Sequence, residues 1–242
     1  DAVQTVEVET FLALERTLQR HVEQSLLESP TERLLELAES RLSCFWSDVL
    51  PPVQARWALV AAAARVLLEA DQVAQTLKKA PDTVPNLFEA YTEGDTPWCL
   101  LDTHHRHMES RWYNFEPEMG QQHDGLDKLI LKAEARYTEV GCELAKHFVE
   151  KYQKAKHPIK GVLRQVEVFE TLVKPRLAEG KTAYVWVDAL RFEMARELCE
   201  VLRGDFEVTL QPAIAAIPSI TEIGMAALLP RANQSAKVVS VG

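Results

Sequence analysis

The sequence predicts a helical region over residues 1–180, followed by the start of an α/β domain with a parallel sheet over 181–242. Three observations support that division. Apolar residues recur at helical spacing through the first 180 positions. At Ala183 the pattern becomes the continuous run AYVWV, whose aromatic and β-branched residues suit a strand buried on both faces. Charge divides at the same place. Residues 181–242 hold 6 Lys and Arg against 7 Asp and Glu, whereas the preceding part holds 21 against 29.

In the first helix Phe11, Leu14, Leu18, Val22 and Leu26 share a face, and Leu34, Ala38, Leu42, Phe45 and Val49 do so in the second. Pro30 and the following TER start that second helix, while Pro51 and Pro52 separate it from an alanine-rich third, Trp57 to Leu77. Pro81 and Pro85 mark the next break. After a loop at EGDTP, a helix is expected from about Trp98 to Phe115. The longest candidate begins near Leu126. Leu129, Ala133, Tyr137, Val140, Leu144 and Phe148 hold one of its faces over roughly 40 Å at 1.5 Å per residue, until His157 and Pro158. A last helix covers about Val162 to Ala178, interrupted near Pro175 and closed by Gly180.

Beyond AYVWV, Leu190, Met194, Leu198 and Val201 mark a helix, and FEVTL alternates as a strand does, so the stretch reads as a βαβ unit. PSITEIGMAALLP is expected to contain a short helix and KVVSV a third strand. The chain opens on Asp1 and closes on Gly242 just after that strand, as an excerpt of a longer polypeptide would.

The 242 residues, 47% of them hydrophobic, are enough for one large core or two modest ones. Apolar runs fall far short of the roughly 20 residues that span a bilayer, and no signal segment is present, so a soluble, cytoplasmic chain is expected with no membrane partner. Cys44, Cys99, Cys142 and Cys199 form no CxxC pair, which argues against a cysteine zinc site and points to reduced, partly buried thiols. A net charge of -9 argues against gripping nucleic acid with the whole surface. One local exception is residues 146–164, with six Lys and Arg against one Glu, which reads either as a solvated helix end or as a contact for phosphates. THHRHMES likewise reads two ways: His104 and His107 can share a helix face as metal ligands, or His104, His105 and His107 can line a polar surface between helices.

In a parallel sheet, ligands gather at the carboxyl ends of strands, where Asp188 and the PSIT segment both fall. Asp188 also suits an N-cap, and Ser219 with Glu222 has capping-box spacing. If Ser219 caps, Thr221 lies in the first turn, where free amides favour an attached phosphate and a hydroxyl is a plausible nucleophile.

VDALRFEMAREL, followed by PSITEIGMAALLP 33 residues after the Asp, closely resembles the start of the PglZ domain, a branch of the alkaline phosphatase superfamily. The resemblance covers about residues 182–242. It implies an alkaline-phosphatase-like fold in which Asp188 binds a divalent metal, usually one of two zinc ions, and Thr221 is the nucleophile and a second ligand. Thr221 is preferred to Ser219 because the family's PxxT spacing runs here from Pro218 to Thr221. Arg191 and Glu193 belong to the motif and read first as a structural pair, with Arg191 and Ser219 in supporting positions. The remaining Asp and His ligands of the superfamily come from later strands. None of the seven histidines follows Thr221, so this chain alone is expected to bind metal weakly and to hydrolyse nothing. The resemblance further implies phosphoesterase or phosphodiesterase activity on nucleotides or oligonucleotides. Its setting is BREX antiviral defence, beside a DNA methyltransferase and ATPases. The alternative is a scaffold whose helical part docks partners and whose phosphatase-like part is kept for shape.

Overall fold

The computed structural model describes residues 11–79, 83–116, 123–155 and 159–235. They fall into two compact units, one formed by Asp1–Asp82 with Thr96–Gln153 and the other by Thr83–Asp95 with Lys154–Gly242.

The first unit is a bundle of α1 (Leu12–Glu28), α2 (Glu32–Ser40), α3 (Phe45–Val49), α4 (Pro51–Leu77), α6 (Cys99–Tyr113) and most of α7 (Asp124–Lys154); α5 (Val84–Thr92) belongs to the second unit. Its centre is α4, where small side chains such as Ala63, Ala64 and Ala70 are fully buried and let neighbouring helices approach closely. Val22 and Leu26 of α1, Met108 of α6 and Leu129 of α7 are also wholly buried. Each such large side chain contributes about 1.5–3 kcal/mol relative to exposure. Thr31 caps α2 by accepting from the Leu34 amide at 3.3 Å.

Two buried ion pairs run through this core. Arg41 Nε donates to Glu15 Oε1 at 3.1 Å, and the same oxygen accepts from Trp57 Nε1 at 2.6 Å. Arg56 grips Glu23 with Nε and Nη2 at 2.7 and 2.8 Å. Each carboxylate therefore has an opposing charge and hydrogen-bond donors, as a buried charge requires. The Arg41 contact also accounts for the break in the predicted second helix. A 3-10 turn at Arg41–Ser43 separates α2 from α3, and the Arg41 carbonyl accepts from the Cys44 amide at 3.5 Å and from Ser47 Oγ at 2.6 Å.

The prolines at 51 and 52 start α4 rather than merely precede it, and Pro85 likewise sits in the first turn of α5, a helix that the proline-break reading missed. Along α7 the apolar face is fully buried only as far as Val140; Leu144 and Phe148 continue the stripe half-buried. Cys44, Cys99 and Cys199 are buried and Cys142 is exposed, all as free thiols. No helix among the described residues is long and apolar enough to cross a membrane.

In the second unit the expected helix over 162–178 is instead a 3-10 turn at Gln165–Glu167, a π turn at Phe169–Val173 and the short α8 (Lys174–Glu179). After α8 come α9 (Phe192–Leu202), α10 (Thr221–Ala227) and α11 (Ala232–Ser235). The predicted parallel sheet of an alkaline-phosphatase-like α/β domain is not formed. Among the described residues there is no strand, and AYVWV and FEVTL run without a ladder. One isolated parallel bridge pairs Arg164 with Ile214. KVVSV lies outside the described residues. Composition favours extended backbone at 183–187, but a strand exists only when a neighbour pairs its N–H and C=O groups, and Val185 and Val187 stand 74% and 54% exposed. Of the predicted βαβ unit, only the helix is present among the described residues.

Candidate functional site

Asp188 and Thr221 meet. Thr221 Oγ1 donates toward the Asp188 carboxylate, 3.3 Å from Oδ1 and 3.4 Å from Oδ2, and both residues are exposed. Asp188 is not an N-cap, since α9 begins at Phe192 with Arg191 in the capping position. The carboxylate instead accepts from the Ala189 amide at 2.9 Å, in a turn where Ala189 takes a left-handed φ of 54°. This bend turns the backbone out of the extended run and leaves one side of Asp188 facing α10.

Thr221 is the first residue of α10, and the N-cap is Ile220, whose side chain makes no capping bond. Ser219 therefore does not cap, and the Ser-x-x-Glu spacing with Glu222 does not form a capping box. A cis peptide joins Ile217 to Pro218 just upstream. Asp188, Ser219 and Thr221 open onto a groove of about 650 Å³. Its apolar wall includes Val187, Leu190, Met194, Ile220 and Met225, with Arg191 also lining it.

Arg191 and Glu193 form the structural pair that the motif suggested. Arg191 Nε lies 2.8 Å from Glu193 Oε1, with the arginine largely exposed and the glutamate buried. The pair bridges the N-cap and first turn of α9, beside the bend that carries Asp188.

Sequence reasoning missed Gln165. Its Nε2 donates to the Gly224 carbonyl at 3.1 Å, its Oε1 accepts from the Ala216 amide at 2.9 Å, and its own amide donates to Ile214 O at 2.9 Å. A lone glutamine at the head of QVEVF carries no periodic or spacing signal, so only the folded chain reveals it.

The oxygen donors of Asp188 and Thr221 suit a divalent metal, being a carboxylate and a hydroxyl on one wall of an open groove. They are two donors. Among the described residues no group of three or more His, Cys, Asp or Glu could hold a metal ion. The histidine cluster is not an exception. The His105 ring stacks on Tyr137 at 3.7 Å, and His104 Nδ1 lies 3.9 Å from Glu69 Oε1, so these side chains line the bundle as an interhelical polar surface.

Comparison with known proteins covers the same segment. Residues 168–239 match the family described as the BREX system PglZ alkaline phosphatase-like domain. The carboxyl-terminal segment matches the PglZ domain model. Asp188 and Thr221 both lie inside the PglZ segment, and the resemblance carried by DALR and PSIT is upheld. The chain is 28% identical over 253 residues to the alkaline phosphatase-like protein BrxZ of Escherichia coli O9:H4 (strain HS), an alignment covering 93% of the chain and 27% of that relative. It is 30% identical over 152 residues to the alkaline phosphatase-like protein PglZ of Bacillus cereus (strain H3081.97), covering 60% of the chain and 17% of the relative. The chain thus spans about a quarter or less of the length of these curated relatives. No solved structure matches it.

Proposed function

We propose that the chain is part of a metal-dependent phosphoesterase of a BREX defence system, with Thr221 as the nucleophile and Asp188 as its partner. The observation that carries this reading is the approach of the Thr221 hydroxyl to the Asp188 carboxylate across 33 residues, at the edge of an open groove. A hydroxyl is a weak nucleophile until a neighbouring group takes or stabilises its proton, and Asp188 is the acceptor within reach. Attack of Oγ1 on phosphorus would esterify Thr221 and release one alcohol, which takes up the proton lost by the hydroxyl; water would then cleave the Thr221 ester, freeing phosphate from a monoester substrate or a phosphomonoester from a diester. A bound divalent metal, zinc by family resemblance, would neutralise phosphoryl oxygens and acidify the hydroxyl. Asp188 and Thr221 would supply two of its donors, with the rest drawn from the greater length of the parent protein.

The substrates that fit the proposal are phosphate esters or diesters such as nucleotides or oligonucleotides, and the partners are the other BREX components, a DNA methyltransferase and ATPases among them. The direct test is metal content and hydrolysis of a chromogenic phosphodiester by the full-length parent, wild type beside Asp188→Ala and Thr221→Ala. Loss of bound zinc in the first and of turnover in both supports the enzyme; a wild type without metal or turnover rejects it.

A scaffold role is favoured by a different observation. Val185, Val201 and Phe206 of the second unit are 74%, 76% and 64% exposed, large apolar side chains left open to solvent as partner-covered ones are. In that reading neither substitution changes any function of the assembled system.

A further inference from the structure

We propose that Gln165 is a positioning residue that holds Thr221 opposite Asp188, an inference that rests on reading this pair as the reactive site. One carboxamide ties the two sides of the PSIT segment together. Its oxygen takes the Ala216 amide, five residues before Thr221, and its nitrogen bonds the Gly224 carbonyl, three residues after it. The main chain at the same point is anchored in both directions, with Gln165 N on Ile214 O at 2.9 Å and Ile214 N on Leu163 O at 2.8 Å. Thr221 therefore sits on a short segment clamped at each end by a single side chain.

The clamp matters because the contact it serves is slight. Thr221 and Asp188 meet at 3.3–3.4 Å on an exposed surface, where side-chain packing does little to hold the distance. α10 has only seven residues and no side-chain cap, so little within the helix fixes where its first residue points. A carboxamide is the one side chain of this length that both donates and accepts. Glutamate would keep the Ala216 contact but present an anion to the Gly224 carbonyl, and leucine would lose both bonds.

The test reads geometry rather than turnover. In a Thr221→Cys variant of the full-length parent, stripped of metal by a chelator, a thiol against the Asp188 carboxylate is less ionised than the same thiol beside Asp188→Asn, the α10 N-terminus being common to both. Its alkylation by iodoacetamide at pH 8 is then about tenfold slower than in the Asp188→Asn background, one unit of pKa. Peptide mapping by mass spectrometry separates it from the native thiols. Adding Gln165→Leu is expected to return the rate to within about twofold of the Asp188→Asn background, and Gln165→Glu to give an intermediate rate. With Asp188→Asn also present, the Gln165 substitutions should have no further effect, since the cycle then contains no charge to lose.

An unchanged alkylation profile of the introduced thiol in both Gln165 variants overturns the proposal, and if the leucine variant fails to fold, the near-isosteric glutamate variant decides. Because the readout needs neither metal nor activity, a parent that hydrolyses nothing while the introduced thiol responds to Gln165 would sink the enzymatic reading and leave the positioning role standing. In an active parent, Gln165→Leu is expected to lower kcat while KM stays within about twofold, because the clamp sets the attack geometry rather than substrate contact.

Discussion

Thr221 Oγ1 lies 3.3 Å from Asp188 Oδ1, although 33 residues separate them and neither is buried. A chain does not gain appreciable stability from an exposed contact of this length, so substitution should leave folding nearly untouched. Asp188→Asn and Thr221→Ala are each expected to change unfolding free energy by no more than about 0.5 kcal/mol. In the full-length parent the same changes should lower phosphodiester turnover by at least about 100-fold. Removing metal with a chelator should abolish turnover and restoring zinc should recover it. Urea titration, paired with a chromogenic assay, separates these effects; equal losses in stability and turnover would show a structural contact.

Glu15 makes the opposite case, since it is buried and shared between Arg41 and Trp57. Glu15→Ala removes the carboxylate that opposes the buried Arg41 guanidinium and should cost about 3–5 kcal/mol in denaturant unfolding. Replacing both partners, Glu15→Leu with Arg41→Met, should recover much of that loss, because the uncompensated charge is gone. Additive losses in the double variant would contradict this account.

The two halves of α7 should differ in sensitivity. Leu129 is fully buried, and Leu129→Ala is expected to cost about 2–5 kcal/mol. Val149, 48% exposed on the same helix, should tolerate alanine within about 0.5 kcal/mol. Thermal melts of the two variants provide the check.

Two acids should contribute to pH dependence with opposite signs. Burial pushes the Glu69 carboxyl above its ordinary value, against the opposing influence of Arg65. Its contribution is therefore full below about 4.3, the unfolded carboxyl value, and is lost as pH rises through the elevated folded value. Glu69→Gln should gain on the wild type as pH rises through that window and match its pH dependence below it. Glu167 is held below the ordinary value, chiefly by its hydrogen bond from the Arg164 side chain. Its contribution is present above the unfolded value and is lost as pH falls through the lowered one. Glu167→Gln should thus lose ground to the wild type at neutral pH and converge with it in acid. Unfolding curves at a series of pH values from about 3 to 7, which bracket the ordinary carboxyl range, test both.

The helices of the first unit were legible because each buries one face, and burial leaves a 3.6-residue trace in the order of apolar residues. Leu18, Val22 and Leu26 show it, as do Leu126, Leu129 and Ala133. The break at Arg41–Ser43 was not legible. It depends on where Glu15 lies in space, and no local pattern encodes that. α5 was missed for a narrower reason: Pro85 suits a first helical turn as well as a break.

Residue order accounts for the helices of the first unit and the carboxyl-terminal family motifs, and the family resemblance for the choice of Asp188 and Thr221, because helix periodicity and motif spacing are properties of the chain itself. It misjudged the sheet at 183–187, since β structure requires a pairing partner that local composition cannot supply. Whether Asp188 caps a helix or belongs to a site was open in the sequence, the turn at Ala189 excludes the cap, and Gln165 carried no signal at all. Those contacts join residues 33 to 59 positions apart, and only the folded backbone brings such groups within hydrogen-bond distance.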